Sequence, residues 1–264
     1  MPLPLDSARR LALEAGALIV SAIDQTKRID HKSAVNLVTD TDHQAEALIM
    51  DGLRNDFPDH AIVAEETAAG RPPEGPCWYV DPVDGTVNFV HGIPHCSVSI
   101  ALLDDGHPSA AVVYDPCKNE LFEAERGGGA RLDGQPLAVS GAAALGDSLM
   151  VTGFPYDRRE NPDRYLSFFK AFMVTARDIR RFGSAALDLA YIAAGRFDGF
   201  WEFKLEPWDT AAGWLLVEEA GGVVSDMDGA AFDPWSKRIL ASNGTIHQEC
   251  VDLLSELRAE QGSS

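Results

Sequence analysis

The chain has 264 residues, a mass of 28.5 kDa and 41 acidic against 22 basic side chains, for a formal net charge of −19. By surface scaling, a chain of that mass hides roughly 73% of its unfolded surface on folding, and its 45% of hydrophobic residues can fill such an interior, which excludes a solvated tail or a minimal peptide. A field of this sign repels nucleic acid and anionic membrane while offering carboxylates to cations, so neither nucleic acid nor membrane is expected as a partner.

The cysteines at 77, 96, 117 and 250 have no C-x-x-C spacing and follow no signal-peptide pattern, which predicts reduced thiols and a cytoplasmic location. The longest stretch without a charge, 85–103, contains two histidines, an asparagine and a proline, too polar for a membrane span.

In chain order, Ala8, Leu11, Ala12, Ala15, Leu18, Ile19, Ala22 and Ile23 have the three-to-four spacing of a half-buried helix, which Asp6 could cap. Residues 35–39 are β-branched and short. Thr41 with Gln44 then reads as a capping box opening a helix through Ala45, Leu48, Ile49 and Leu53. The apolar runs His60 to Ala64 and Cys77 to Val80 stop at acids, Glu65-Glu66 and Asp81, as strands do when their ends carry ligands. Ser97 to Leu103 and Ala110 to Tyr114 read as strands joined by an Asp104-Asp105-Gly106 turn.

A Gly- and Ala-rich stretch over 127–146, with a turn signal at Asp133-Gly134, predicts a subdomain seam near 140. Beyond it, helices are expected from Asn161-Pro162, from Ser184 to Ala194, from Trp208-Asp209 to Ala220 and from Ile246 to Leu257. Strands are expected at Phe197 to Phe203, Val223 to Ser225 and Ile239 to Ala241.

The most informative stretch is Asp81-Pro82-Val83-Asp84-Gly85-Thr86, directly after Trp78-Tyr79-Val80. Pro82 stiffens the turn, Gly85 lets backbone approach a ligand closely, and a helix starting at Thr86 would aim free N–H groups at a phosphate. Two carboxylates alone repel a phosphate; a magnesium ion, which takes hard oxygen ligands and substrate phosphate oxygens, reverses the sign. Read singly, each acid also has a plain role: solvated pairs at Asp81/Asp84 and Glu65/Glu66, a helix cap for Asp209, first-turn stabilisation for Asp42.

The sequence resembles the inositol monophosphatases, of the magnesium-dependent, lithium-sensitive phosphatase superfamily. The likeness runs through Lys32, Asn36-Leu37-Val38-Thr39 with Asp42, Ala64-Glu65-Glu66-Thr67, Asp81 to Phe89, Gly183-Ser184-Ala185-Ala186, Glu202, Trp208-Asp209 and Glu219-Ala220-Gly221-Gly222. It implies an α/β fold, a layered αβαβα sandwich forming one compact unit. In it, an N-terminal α+β part, 1–140, carries most metal ligands, and a C-terminal α/β part, 141–264, carries Asp209 and the substrate contacts.

The resemblance also implies two to three Mg2+ per active site. Glu65, Asp81 and the carbonyl of Val83 would hold the first, and Asp81, Asp84 and Asp209 the second. Glu65, Thr86 and Asp42 would be catalytic, with Thr86 orienting the attacking water, and Gly85 and Thr86 would bind phosphate through their amides. Gly183, Ser184, Ala185 and Glu202 would meet the alcohol part of a small-molecule phosphate, and Lys32 would lie near the metals. A homodimer is implied as well.

The implied reaction is hydrolysis of a small polyol phosphate, inositol 1-phosphate foremost, with histidinol phosphate and fructose 1,6-bisphosphate as alternatives. A non-catalytic metal-binding regulatory scaffold would be expected to lack one of the ligands, and none is missing. Asp40-Thr41-Asp42 also resembles the aspartate loop of haloacid-dehalogenase-type enzymes, but position 44 is Gln and Asp81 to Thr86 would have no role. Two departures from the family pattern stand out: an extra acid at Asp40, and the charged segment Asp157-Arg158-Arg159-Glu160, which could reach over the active site or a partner subunit.

Overall fold

Helix α1 (Pro4–Ala22) buries Ala8, Leu11, Ala12, Ala15 and Ile19, the stripe its spacing predicts. It starts one turn earlier than expected, with Leu3 at the cap and Pro4 at the first position; Asp6 lies inside the first turn. The computed structural model describes residues 2–23, 25, 29–31, 37–72 and 74–262; Lys32 and Asn36 lie outside the described residues.

Strands β1 (Ile29–His31) and β2 (Leu37–Thr39) pair antiparallel and lead into α2 (Asp40–Asp56). The capping box is Thr39 with Asp42, not Thr41 with Gln44. Asp42 is buried and can return a bond to the cap amide, while Gln44 is exposed and has nothing there to reach. Asp40, the extra acid, is the first helical residue and faces solvent.

Then follow β3 (Ala61–Ala64), β4 (Cys77–Asp84), the single-turn α3 (Thr86–Val90), β5 (Ser97–Asp104), β6 (His107–Asp115), β7 (Glu120–Glu125), β8 (Gly129–Leu132) and β9 (Gln135–Pro136). These strands form a seven-stranded sheet in the order β3-β4-β5-β6-β7-β8-β9. Each pair is antiparallel except β3 with β4, which is parallel. The Asp105-Gly106 and Asp133-Gly134 turns both take positive φ, the geometry that a tight hairpin needs.

The second half contains β10 (Leu149–Thr152), α4 (Pro162–Thr175), β11 (Asp178–Arg180), α5 (Ala185–Ala193), β12 (Gly199–Phe203), α6 (Pro207–Glu219), β13 (Val223–Ser225), β14 (Arg238–Ser242) and α7 (His247–Gly262). Its five-stranded sheet runs β11-β10-β12-β14-β13.

Three apolar clusters stack these elements into five layers. Leu11, Ile19, Ile49 and Leu53 of α1 and α2 meet Trp78, Val80, Ile100 and Val112 on one face of the large sheet. Its other face, through Tyr79, Ala101, Val113 and Phe122, shares a core with α5 and α6, which also pack on Val151, Phe200, Ile239 and Ala241 of the small sheet. The outer face of the small sheet, through Met150, Trp201, Phe203 and Leu240, is covered by Phe168 and Phe172 of α4 and Cys250 and Leu254 of α7. The result is the αβαβα sandwich. No helix among the described residues is long and apolar enough to cross a membrane.

The middle layer is tight because Gly213 of α6 lies against α5: a Cβ there would stand 2.4 Å from Leu189 Cβ. Gly213→Ala should therefore lose about 1–3 kcal/mol of stability despite alanine's better helix propensity. An unchanged or raised urea midpoint would contradict that contact.

Candidate active site

A regular strand would send Asp81 and Asp84 to opposite faces, because the side-chain period is two. Strand β4 avoids this with a register irregularity between them: Asp81 pairs with Ser99, and the next pair is Asp84 with Ser97. Val83 turns into the core under α1 and α2, and its amide donates to Asp81 Oδ1 at 3.0 Å. Both carboxylates thereby line one cleft. The sequence expectation that the strand stops at Asp81 is corrected, since pairing with β5 resumes beyond the irregularity.

Asp84 is held from the far side of the cleft. Its Oδ2 accepts from the Ser184 hydroxyl and from the Ala186 amide at 2.9 Å, and its Oδ1 from the Ala185 amide at 3.2 Å, so it occupies the N-terminus of α5. Ser97 Oγ adds a 3.4 Å contact. Gly85 follows with φ of 90°, and a Cβ there would meet His95 O at 3.1 Å and Gly183 O at 3.2 Å. No other residue fits both the conformation and the space. Asn88 donates to His95 O at 2.9 Å and Phe182 O at 2.8 Å, tying α3 to the Gly183 loop.

Thr86 Oγ1 stands 3.2 Å from Asp42 Oδ1 and 3.0 Å from Val83 O, and its one proton can serve either acceptor. Asp42 itself is buried and bonded to the Thr39 amide at 2.9 Å and to the Thr39 hydroxyl. Burial raises the Asp42 pKa, the Thr39 bonds oppose this, and the Glu65 charge adds to it. Glu46, an acid on the buried stripe of α2, accepts from the Glu66 amide at 2.7 Å and so fixes the Glu65-Glu66 corner. Asp209 lies in the first turn of α6, where its carboxylate accepts from the Glu206 amide at 2.7 Å.

The cleft has a volume of about 560 Å³. Glu65, Asp81, Val83, Asp84, Gly85, Thr86 and Asp209 line it together with Gly183, Ser184, Ala185 and Glu202; Asp42 stands behind Thr86 and does not line it. Glu202 is buried rather than on an exposed strand face: Trp201 and Phe203 turn toward α4 and α7, and Glu202 packs against Gly153, where a Cβ would come within 2.2 Å of either carboxyl oxygen. The segment at 156–159 reaches the site, since Tyr156 and Arg158 line the cleft.

The acids raise one another's pKa values. Asp81 is lifted well above the usual carboxylate range by burial and by the charges of Glu65, Asp84 and Asp209. Asp209 is lifted likewise by burial, Glu65 and Asp84. Glu202 is pushed up to about 8, chiefly by burial, with Arg181 opposing and Asp84 assisting. Such a set of hard oxygens, lacking any histidine or cysteine, is a donor chemistry for magnesium or calcium and not for zinc. Among the described residues no three acidic, histidine or cysteine side chains stand close enough together to hold an ion between them. Asp81, Asp84 and Asp209 are each tethered to a backbone amide instead.

Sequence reasoning missed Glu46, Arg181 and Asp188. Asp188 is buried on α5 with Oδ1 lacking a hydrogen-bond partner, and its pKa is raised well above the usual range by burial and by Glu202 and Asp84. The available signal was an acid on an otherwise apolar helix face, at Glu46 in Ala45-Glu46-Ala47-Leu48-Ile49 and at Asp188 in Ala185 to Ala190.

Residues 4–260 match the inositol monophosphatase family. The chain belongs to that family. It is 45% identical over 253 residues to an inositol-1-monophosphatase from Synechocystis, covering 95% of this chain and 88% of that one. It is 43% identical over 245 residues to the Nus factor SuhB of Escherichia coli, covering 92% of each. Its fold superimposes on the inositol monophosphatase of Anabaena with a TM-score of 0.87 at 42% identity, over 96% of this chain and 95% of that one.

The raised carboxyls give the metal-free protein a defined pH response. A carboxyl whose folded pKa exceeds its unfolded value keeps a proton that the unfolded chain releases. The stability this contributes is complete below the unfolded value, 4.5 for Glu202, and is lost as pH rises through the folded value of about 8. Asp81 and Asp209 act in the same direction. In chelator, the unfolding free energy from urea titrations should fall between pH 5 and 8, by about 1.4 kcal/mol per pH unit for each excess proton held. Glu202→Gln should flatten the slope; equal slopes for both proteins would refute the assignment.

Proposed function

We propose that this protein hydrolyses the phosphate monoester of a small polyol, with inositol 1-phosphate as its preferred substrate. The observation that carries the reading is that Glu65, Asp81, Asp84 and Asp209 line the same cleft as a buried Glu202. The name of the Synechocystis relative agrees with it.

In this reading Glu65, Asp81, the Val83 carbonyl, Asp84 and Asp209 bind two to three magnesium ions, most of the ligands coming from the half before residue 140 and Asp209 from the half after it. The bound ions supply the Lewis acidity that activates water and stabilises the departing alkoxide in an in-line displacement.

The chain's own residues do the remaining work. The Thr86 hydroxyl donates to Asp42 or to Val83 O and uses its lone pair to accept from the attacking water, which fixes that water's orientation. Amides of Gly85 and Thr86, at the start of α3, donate to the phosphate oxygens where charge develops. Glu202 receives the polyol through a pair of hydroxyls, while the Gly183 to Ala185 loop, tied to α3 through Asn88, sets the distance between alcohol and phosphate. Burial of Glu202 makes it selective, because a substrate without matching hydroxyls leaves a desolvated carboxyl unpartnered.

A cytoplasmic homodimer belongs to the same proposal. The E. coli relative named a Nus factor favours a second reading, a partner-binding role carried by the same fold.

Initial rates with inositol 1-phosphate, histidinol phosphate, fructose 1,6-bisphosphate and 3′-phosphoadenosine phosphate, in excess magnesium, should favour the first. No release from any of them would leave the partner-binding reading standing. Thr86→Ala should lower kcat at least ~100-fold with KM within a few-fold, the split expected for a group that orients the nucleophile. A change in KM alone would assign Thr86 to binding instead.

A further inference from the structure

Behind the phosphate loop, two cysteines touch. Cys96 Sγ and Cys117 Sγ are 4.0 Å apart, although 21 positions separate them in sequence. Cys96 is fully buried just before β5, and Cys117 is partly exposed in the turn between β6 and β7. In the β5–β6 register Val98 faces Tyr114, and Cys96 and Cys117 lie just beyond that last pair.

The turn is built to hold this approach. Asp115, wholly buried, accepts from the amides of Cys117 at 2.9 Å and Lys118 at 3.0 Å and from Lys118 Nζ at 2.5 Å. Lys118 Nζ also reaches His95 Nδ1 at 3.3 Å, so neighbouring residues of the two segments meet in register, Lys118 with His95 and Cys117 with Cys96.

The position of Cys96 gives the pair a consequence. A Cβ on Gly85 would stand 3.4 Å from Cys96 Cα and 3.1 Å from His95 O, so this backbone is the rear wall of the phosphate loop. The next residue, Ser97, pairs with Asp84 in the sheet and contacts its carboxylate. A disulfide needs the sulfurs near 2.05 Å and the Cα atoms within about 7 Å. Closing the present gap by about 2 Å reorients both side chains, and any backbone shift that accompanies it falls on the Cys117 turn or on the Cys96 segment behind Gly85.

We propose that Cys96 and Cys117 form a redox-active dithiol whose oxidation to a disulfide distorts the Gly85 loop and lowers activity. The oxidant is a low-molecular-weight disulfide such as oxidised glutathione. The thiolate of Cys117, the exposed partner, attacks one sulfur of it and expels one thiol. Cys96 gives up its proton and attacks the Cys117 sulfur of the mixed disulfide, expelling the second. One S–S bond is lost and one gained; two electrons pass to the reagent, and the two protons end on the released thiols. The pair is a modification site distinct from the residues that hold metal or substrate. Its effect on turnover rests on the proposed phosphatase reading, whereas bond formation does not.

The full-length protein is incubated with oxidised glutathione, and two quantities are read: the disulfide map of the unreduced digest, and phosphate release from inositol 1-phosphate. A Cys96–Cys117 linked peptide is expected, with a loss of rate of about tenfold or more that a dithiol reductant reverses. Cys117→Ser should give no link and keep its rate in oxidant, while Cys250→Ser should behave as the unaltered protein. A glutathione adduct without the link overturns the proposal, as does a link that leaves the rate unchanged. If the reduced protein releases no phosphate, the phosphatase reading fails separately. The distortion is then read from manganese affinity, which must differ between the reduced and linked forms or the proposal fails too.

Discussion

The carboxylate of Asp84 seated at the N-terminus of α5 is the contact on which the site's geometry depends. It joins residues 100 apart in sequence, and it joins the large sheet to the middle helical layer across the floor of the cleft. A buried carboxylate is costly unless its lone pairs are filled, and a helix start is the backbone feature best able to fill them, with unsatisfied amides and a positive dipole end. Because Asp84 also pairs with Ser97 and precedes Gly85, this anchor sets where the Gly85-Thr86 turn begins and how near the Gly183 loop stands to it.

The other acids share that confined volume, and crowding is the second constraint. Burial and mutual repulsion lift Asp81, Asp209 and Glu202, so without cations the folded state lowers its charge by holding protons. A divalent cation bound there would do the same work as those protons and would reverse the pH dependence, because deprotonation favours a metal-bound state. Glu46 and Asp42 extend the acidic set one layer back, where they hold the Glu65 corner and Thr86.

The Gly85 loop is held on the sides that do not line the cleft. Asp84 fixes it in front, Asn88 and Gly183 close it laterally, and His95 with Cys96 backs it. A loop so enclosed transmits a small shift at any wall, since packed interiors have little slack. The Cys96–Cys117 contact belongs to the rear wall of that loop.

Much of this was legible in the chain order of residues. The stripe of α1, the turns at Asp105-Gly106 and Asp133-Gly134, and the acids that follow β3 come from local periodicity and turn chemistry, which short segments encode. The acidic loop with its following Thr-led turn pointed to a cation and a phosphate through its residue types, whereas Asp209 read locally as a helix cap and joined the site only through the family resemblance. Strands β7 to β11 were harder, since Glu120 to Glu125 and Gln135-Pro136 take strand form only by pairing with neighbours already laid down. Local rules also set the start of α2 at the wrong threonine, because the choice between Thr39 and Thr41 rests on which acid is buried. Tertiary structure alone decided that Asp81 and Asp84 face one way, that Asp84 caps α5, that Glu202 is buried and that Cys96 meets Cys117. Those facts depend on a register shift and on distant segments filling one another's hydrogen bonds and volume, which no window of sequence contains.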